Sequence, residues 1–278
     1  MLTLNKSLIE IISPNIVTLK KEAVLSKEML QELAYIVRDA LQNRGYLLIK
    51  NLPISPRAIS ECKSLFLELS SLVGKPISHD AHNSIIWDIK SKPASQSLIK
   101  TYSEHSHEAE LHTDSQYSEY PEDYFGLLTL KKAACGGGES LLLSLKDILK
   151  ELRQHSEAEM VEQTLRNSNY PFIVPNVFKK SQSDEPEFNF GPILRDNEIR
   201  FRVDTFEKAI KACNSLCTPQ QIHAYRVLKS IILNSPSTKH FFLEERDLLF
   251  INNKTMLHGR NQFKDASRHL LRIRLNKN

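Results

Sequence analysis

Apolar residues in this chain fall into a few stretches of helical spacing and many short alternating blocks. Over residues 26–44, Met29, Leu30, Leu33, Ile36, Val37 and Leu41 recur at intervals of three and four, giving a helix with one apolar face. Ser26 is placed to cap it and Gly45 to end it. Residues 46–50 read as a short apolar strand, and 56–73 as a second helix closed by Gly74. Strands are predicted at 85–89, 98–102, 124–131 and 140–143, with 135–139 as a glycine turn between the last two. Residues 103–111 are polar and read as a mobile loop.

Two helices follow, near 145–153 and 157–166, each opened by a capping box: Ser144 with Asp147, and Ser156 with Glu159. Residues 198–203 alternate like a strand, and helices recur near 205–216 and 219–233, the latter opened by Thr218, Pro219 and Gln221. Strands at 241–243, 248–252, 255–257 and 269–275 complete the chain. Strands thus cluster before 145 and after 190, and helices decorate the start and the middle. This order predicts an α+β fold with a mainly β core. The expected architecture is a double-stranded β-helix, or cupin-like jelly roll, with flanking helices and a helical insert at about 145–235. Residues 1–278 are expected to form one domain, since no repeat, low-complexity tract or linker divides them.

Composition narrows the function classes. A hydrophobic content of 41% supports a sizeable core, and the net charge of +4 is spread without a basic run, so no nucleic-acid partner is expected. No apolar run has the length of a membrane span, and the first 14 residues lack a signal-peptide pattern, so a cytoplasmic protein is expected. Cys62, Cys135, Cys213 and Cys217 form no CxxC motif and read as reduced thiols. No G-x-G-x-x-G follows a strand and no phosphate-binding loop is present.

The candidate chemistry lies in His112 and Asp114, within Leu111-His112-Thr113-Asp114-Ser115, and in the remote His258 of Leu257-His258-Gly259-Arg260. Two imidazoles and one carboxylate make the facial triad by which non-haem Fe(II) oxygenases hold their metal while leaving positions open. A His-x-Asp pair among ten histidines is weakly specific by itself. An ordered series strengthens it: the aromatic segment 117–124, the strand 126–130, the turn with Ser140, the run 247–253, and Arg268-His269-Leu270-Leu271-Arg272.

This series resembles the taurine dioxygenase / clavaminate synthase-like family of Fe(II)/2-oxoglutarate-dependent oxygenases, most strongly over 111–145 and 246–275. The resemblance implies that His112, Asp114 and His258 ligate Fe(II), and that Arg268 and Ser140 hold the distal carboxylate of 2-oxoglutarate. A guanidinium suits that task because it grips a carboxylate through two parallel hydrogen bonds. Arg272 matches a second arginine that contacts an anionic substrate in some relatives and is structural in others. With O₂ as the oxidant, the implied reaction is hydroxylation of an unactivated C–H in a small amino acid or amino-acid-derived metabolite. Halogenases of this kind lack the carboxylate ligand, so Asp114 points away from chlorination. Desaturation, cyclisation and epoxidation use the same ligands and stay open. Clavaminate synthase-like hydroxylases often carry glutamate at the position of Asp114, which weakens transfer of their particular substrates.

Substrate candidates are Gln116 and Tyr117 just past the ligand pair, Arg202 on the alternating stretch, and Trp87 and Asp88; each alone reads more readily as structural. His105 and His107 read as lid or surface groups. Three competing classes remain: a non-enzymatic jelly-roll binding protein, a zinc hydrolase, and a protein or nucleic-acid demethylase. The zinc hydrolase would need a general base, and the chain has no H-E-x-x-H. The demethylase would need a reader module or basic groove, and neither is visible.

Overall fold

The computed structural model describes residues 8–20, 25–79, 83–90, 106–175, 179 and 185–278. The strand expected at 98–102 and His105 lie outside the described residues. The chain runs β1 (Ile9–Ser13), β2 (Ile16–Leu19), α1 (Lys27–Asn43), β3 (Tyr46–Lys50), α2 (Ile59–Val73), β4 (Lys75–Ile77), β5 (Ile86–Lys90), β6 (Ala109–His112), β7 (Tyr124–Lys131) and β8 (Ser140–Ser144). It continues α3 (Leu145–Leu152), α4 (Ala158–Asn167), β9 (Tyr170–Ile173), β10 (Phe188–Gly191), β11 (Leu194–Arg195), β12 (Glu198–Ile199), α5 (Val203–Ala212) and α6 (Pro219–Asn234). Then come β13 (Lys239–Phe241), β14 (Leu248–Asn252), β15 (Met256–Arg260) and β16 (His269–Asn276).

Two sheets face each other. The larger has the order β1-β2-β3-β14-β7-β16-β4, with β5 also on β16; the smaller is β13-β8-β15-β6. Among the described residues every ladder is antiparallel except β2 on β3. The strands are apolar on both faces, and their period of two sorts the side chains. Leu47, Ile49, Leu128, Phe250, Leu271 and Ile273 pack outward against the apolar stripes of α1 and α2. Tyr46, Leu48, Phe125, Leu249, Ile251 and Leu270 point inward and meet Leu142 and Met256 of the smaller sheet. The far face of that sheet, Leu111, Leu141, Leu143 and Leu257, is covered by α3 to α6. The result is the expected mainly β, jelly-roll sandwich between two helical layers.

Several local expectations hold in detail. Ser26 Oγ accepts the Met29 N–H, and Thr218 and Gln221 form a complete capping box. Ser144 Oγ accepts the Asp147 N–H at 3.0 Å. The box at Ser156 and Glu159 does not form: α4 starts at Ala158 from a turn in which the Ala158 N–H donates to the His155 carbonyl. The strand expected over 198–203 is only two residues long. Phe201 leaves it to pair with Thr113, and α5 begins at Val203. Residues 109–111, expected in a loop, belong to β6, because their main chain completes the ladder on β15. Strands β1, β2, β9 and β10 were not legible in the sequence pattern.

Candidate active site

His112 ends β6 and His258 sits mid-way along β15, and the antiparallel register places them directly opposite each other. Residues opposite in such a ladder share a face, here the inner one. The two rings lie 4.3 Å apart between centroids. Asp114 comes two residues beyond the strand end and folds back, so that its Oδ1 is 3.7 Å from His112 Nε2 and its Oδ2 3.3 Å from His258 Nε2. One ligand atom from each of the three lies within 4.8 Å of the others, and among the described residues this is the one such group. His112 Nδ1 is 2.7 Å from the Glu110 carbonyl, to which it can only donate, which leaves Nε2 as the lone-pair nitrogen facing the centre.

The site is dry. Burial, reinforced by the neighbouring His258, holds the His112 imidazole well below its ordinary range. Burial pulls His258 down to about 3. Both rings are therefore neutral near pH 7, the form that binds metal. The donor set, the tautomer of His112 and the neutrality of both rings fit a divalent iron, whose charge would replace the proton that these rings refuse.

Close approach of β6 and β15 depends on Gly259. A Cβ there would lie 2.8 Å from the Ala109 carbonyl oxygen and 3.2 Å from the Leu111 nitrogen. Asp114, by contrast, has no ladder partner. Its direction is set by Thr113, bonded to Phe201 through both main chain and side chain, and by the buried Asn253.

Arginines surround this centre. Arg272, from the inner face of β16, reaches the Asp114 carboxylate, and its Nη2 is 3.5 Å from Glu122 Oε1. Glu122, 2% exposed, is held in turn by Arg274 Nε at 2.9 Å. Arg268 lies just before β16, beside the turn Gly136–Gly138. A Cβ at Gly138, whose φ is +81°, would lie 3.4 Å from Arg268 Nε. Arg268 and Arg260 both stack on Phe263, at 5.1 and 4.7 Å from its centroid. Burial and the charge of Arg260 pull Arg268 down to about 9. Among the described residues no carboxylate pairs with Arg268. Ser140, buried, lies opposite Arg260 in the β8–β15 ladder and so on the same face. A buried guanidinium with no acid partner among the described residues has the chemistry to accept a carboxylate.

The substrate candidates separate. Arg202 grips Asp204 with both ends of its fork, at 2.6 and 3.2 Å, and its charge is felt by both histidines. Gln116 is fully buried; its Nε2 donates to Thr205 Oγ1 at 2.8 Å, while its Oε1 has no partner among the described residues. Tyr117 packs against the α5–α6 layer. Trp87 stands opposite Arg272 across the β5–β16 ladder, on the inner face. Asp88 points the other way, to Lys63 and His269 at 2.6 Å each. The His107 carbonyl accepts from Arg260. Sequence reasoning missed Glu122, Asn253, Arg260 and Arg200. Arg200 donates to the Gln116 carbonyl at 3.1 Å and to the Ser118 carbonyl at 3.2 Å. Only their place among the motif residues marked them.

Compared with known proteins, residues 14–274 match the family described as taurine catabolism dioxygenase TauD, TfdA family. No curated protein matches by sequence. Among solved structures, an asparagine oxygenase (AsnO) aligns with a TM-score of 0.73 at 14% identity, over 95% of this chain and 93% of its own. A complex of asparagine oxygenase with Fe(II), 2S,3S-3-hydroxyasparagine and succinate aligns at 0.70 and 16%, over 90% and 79%. The non-heme iron oxygenase OrfP with Fe, succinate and (3R,4R)-dihydroxy-L-Arg aligns at 0.68 and 17%, over 90% and 85%. At these identities the likeness concerns the fold.

Proposed function

The chain belongs to the TauD, TfdA family of dioxygenases, and from that premise we propose that it is an Fe(II)- and 2-oxoglutarate-dependent oxygenase that hydroxylates an unactivated C–H of a small amino acid or amino-acid-derived metabolite. The observation that carries this reading is the gathering of His112, Asp114 and His258 within 4.8 Å, with the His112 tautomer fixed by the Glu110 carbonyl, in a chain that also buries Arg268 without an acid partner among the described residues.

In this reading His112, Asp114 and His258 would hold the iron. With iron, 2-oxoglutarate and O₂ bound, the cofactor chemistry converts R–H to R–OH while 2-oxoglutarate becomes succinate and CO₂. The protein supplies orientation and dryness. Arg268 and Ser140 take the distal carboxylate of 2-oxoglutarate, and Phe263 forms the apolar wall beneath it. Asp114 occupies the position that a halide would need, which favours hydroxylation over chlorination. Arg272 gives its charge to Asp114 and Glu122, and a substrate carboxylate near the iron competes for it. Arg202 adds positive potential, while Gln116 and Tyr117 shape the segment beyond Asp114. The asparagine- and arginine-derived ligands of the similar structures support an amino-acid substrate. No described helix is long and apolar enough to cross a membrane, and unpaired cysteines agree with action in the cytoplasm as one domain.

The test is anaerobic addition of Fe(II) and 2-oxoglutarate. Wild type gives a weak visible charge-transfer band, and His112→Ala or His258→Ala abolishes it. Mass spectrometry of reactions with a panel of amino acids and their amides in chloride buffer then shows a gain of one oxygen, with succinate formed. Absence of the band and of 2-oxoglutarate binding refutes the oxygenase reading; a chlorinated product refutes hydroxylation.

A further inference from the structure

Asp114 is the one member of the candidate triad outside a strand. Its carboxylate direction cannot come from a ladder, as those of His112 and His258 do. The residue after it, Ser115, turns into the left-handed region at φ +49°, so the chain leaves the sheet at this point. Just before Asp114, Thr113 is tied to Phe201, and one side chain grips the main chain of Asp114 itself. Asn253, 1% exposed, accepts the Asp114 N–H through Oδ1 at 2.8 Å and donates through Nδ2 to the Asp114 carbonyl at 3.1 Å. One amide group thus fixes the peptide planes on both sides of Asp114, leaving χ1 and χ2 as the remaining freedom.

The same Nδ2 also donates to the Glu122 carbonyl at 3.0 Å. Glu122 is the carboxylate that shares Arg272 with Asp114. Asn253 therefore pins both ends of the segment 114–122, whose two carboxylates compete for one guanidinium. It lies in the hairpin between β14 and β15, five residues before His258, and its own N–H donates to the Asp123 carbonyl at 2.8 Å. The hairpin that delivers the distal histidine also carries the clamp for the carboxylate.

We infer that Asn253 is the positioning residue that aims Asp114 at the metal, an inference that rests on the reading of Asp114 as a metal ligand. Its removal loosens the carboxylate without touching either imidazole. Outer groups that orient metal ligands typically change affinity by about 10- to 100-fold.

The experiment measures anaerobic binding of Fe(II) alone by calorimetry, with the melting temperature of the metal-free protein recorded beside it. Asn253→Ala is expected to weaken Fe(II) roughly 10- to 100-fold. The control is Asn252→Ala. The neighbouring side chain donates to the Leu41 carbonyl and accepts the Lys254 N–H, so its loss lowers stability and leaves Fe(II) affinity at the wild-type value. If Asn253→Ala does not fold, the isosteric Asn253→Asp serves: it keeps the acceptor for the Asp114 N–H, loses both donors and also binds Fe(II) more weakly. Asn253 variants that bind Fe(II) like wild type, or an equal loss in Asn252→Ala, overturn the inference. Failure of the wild type to bind Fe(II) overturns the oxygenase reading itself, and the inference with it.

Discussion

Arg268 should prove unfavourable to the free protein and essential to the liganded one. Its guanidinium is buried, 7% exposed, beside Arg260 and without an acid partner among the described residues. Burial and Arg260 drag it down to about 9, which corresponds to a penalty on the order of 5 kcal/mol for keeping the charge there. Replacing such a group with an apolar side chain of similar volume is often neutral or stabilising. Arg268→Met keeps the stem on Phe263 and is expected to hold or raise the melting temperature of the free protein. Binding of 2-oxoglutarate moves the other way, because losing the partner of a buried carboxylate costs roughly 2–5 kcal/mol, or about 30-fold and upward. Thermal shift in the presence of metal reads both effects. At a concentration of about 100 times the wild-type Kd, 2-oxoglutarate stabilises wild type by about 2.7 kcal/mol. With the affinity about 30-fold weaker, the same concentration gives Arg268→Met less than about 1 kcal/mol. For a chain of this size these are shifts of roughly 5–8 °C against about 2 °C. A free protein that melts far lower after the substitution, together with an undiminished 2-oxoglutarate shift, would refute the assignment of Arg268 as the carboxylate receptor.

Three further outcomes are expected. Gly259→Ala drives a methyl group into the Ala109 carbonyl and pushes β6 from β15; it should cost roughly 1–3 kcal/mol of stability and weaken Fe(II) binding, and normal binding by calorimetry would show that the His112–His258 register tolerates the shift. For Asp88, burial alone would raise the carboxyl, but hydrogen bonds from Lys63 and His269 outweigh it and hold it low; for His269, burial outweighs Asp88 and holds the ring low. Both groups bind fewer protons when folded, so their contribution is complete above about pH 6.5 and is lost as pH falls, first through His269 and then, below about pH 4, through Asp88. Melting curves from pH 4 to 8 should show this decline on top of the larger one from the buried His112 and His258, which are held low in the same way, and His269→Gln should make its upper part shallower without removing it. Finally, Cys135 is exposed with its thiol lowered by main-chain N–H groups of Lys264 and Gly137, whereas burial raises Cys62 and lifts Cys217 to about 11. A thiol reagent should therefore modify Cys135 well before Cys62 or Cys217 in the native protein, and equal rates would contradict this burial pattern.

The sequence by itself determined the elements whose signals are local. The stripe from Met29 to Leu41, the caps at Ser26, Ser144 and Thr218, and the apolar runs that became β3, β7, β8, β14 and β16 were all legible, because period and capping depend on near neighbours. His112, Asp114 and His258 were legible as a set because metal-binding residue types are few and their order along the chain is distinctive. Tertiary structure alone decided the rest. The stretch 198–203 alternates like a strand, yet most of it is not one: Thr113 takes the main chain of Phe201, and Val203 turns into the helix that covers the smaller sheet. Arg202 looked free to face a substrate until Asp204 met it two residues on. Opposite registers brought His112 to His258 across 146 positions of chain, and no local signal encodes a register set by which faces are buried. The direction of Asp114 depends on an asparagine 139 residues away. Such a bond follows from the packing of two hairpins, which exists only once the sheets have closed on each other.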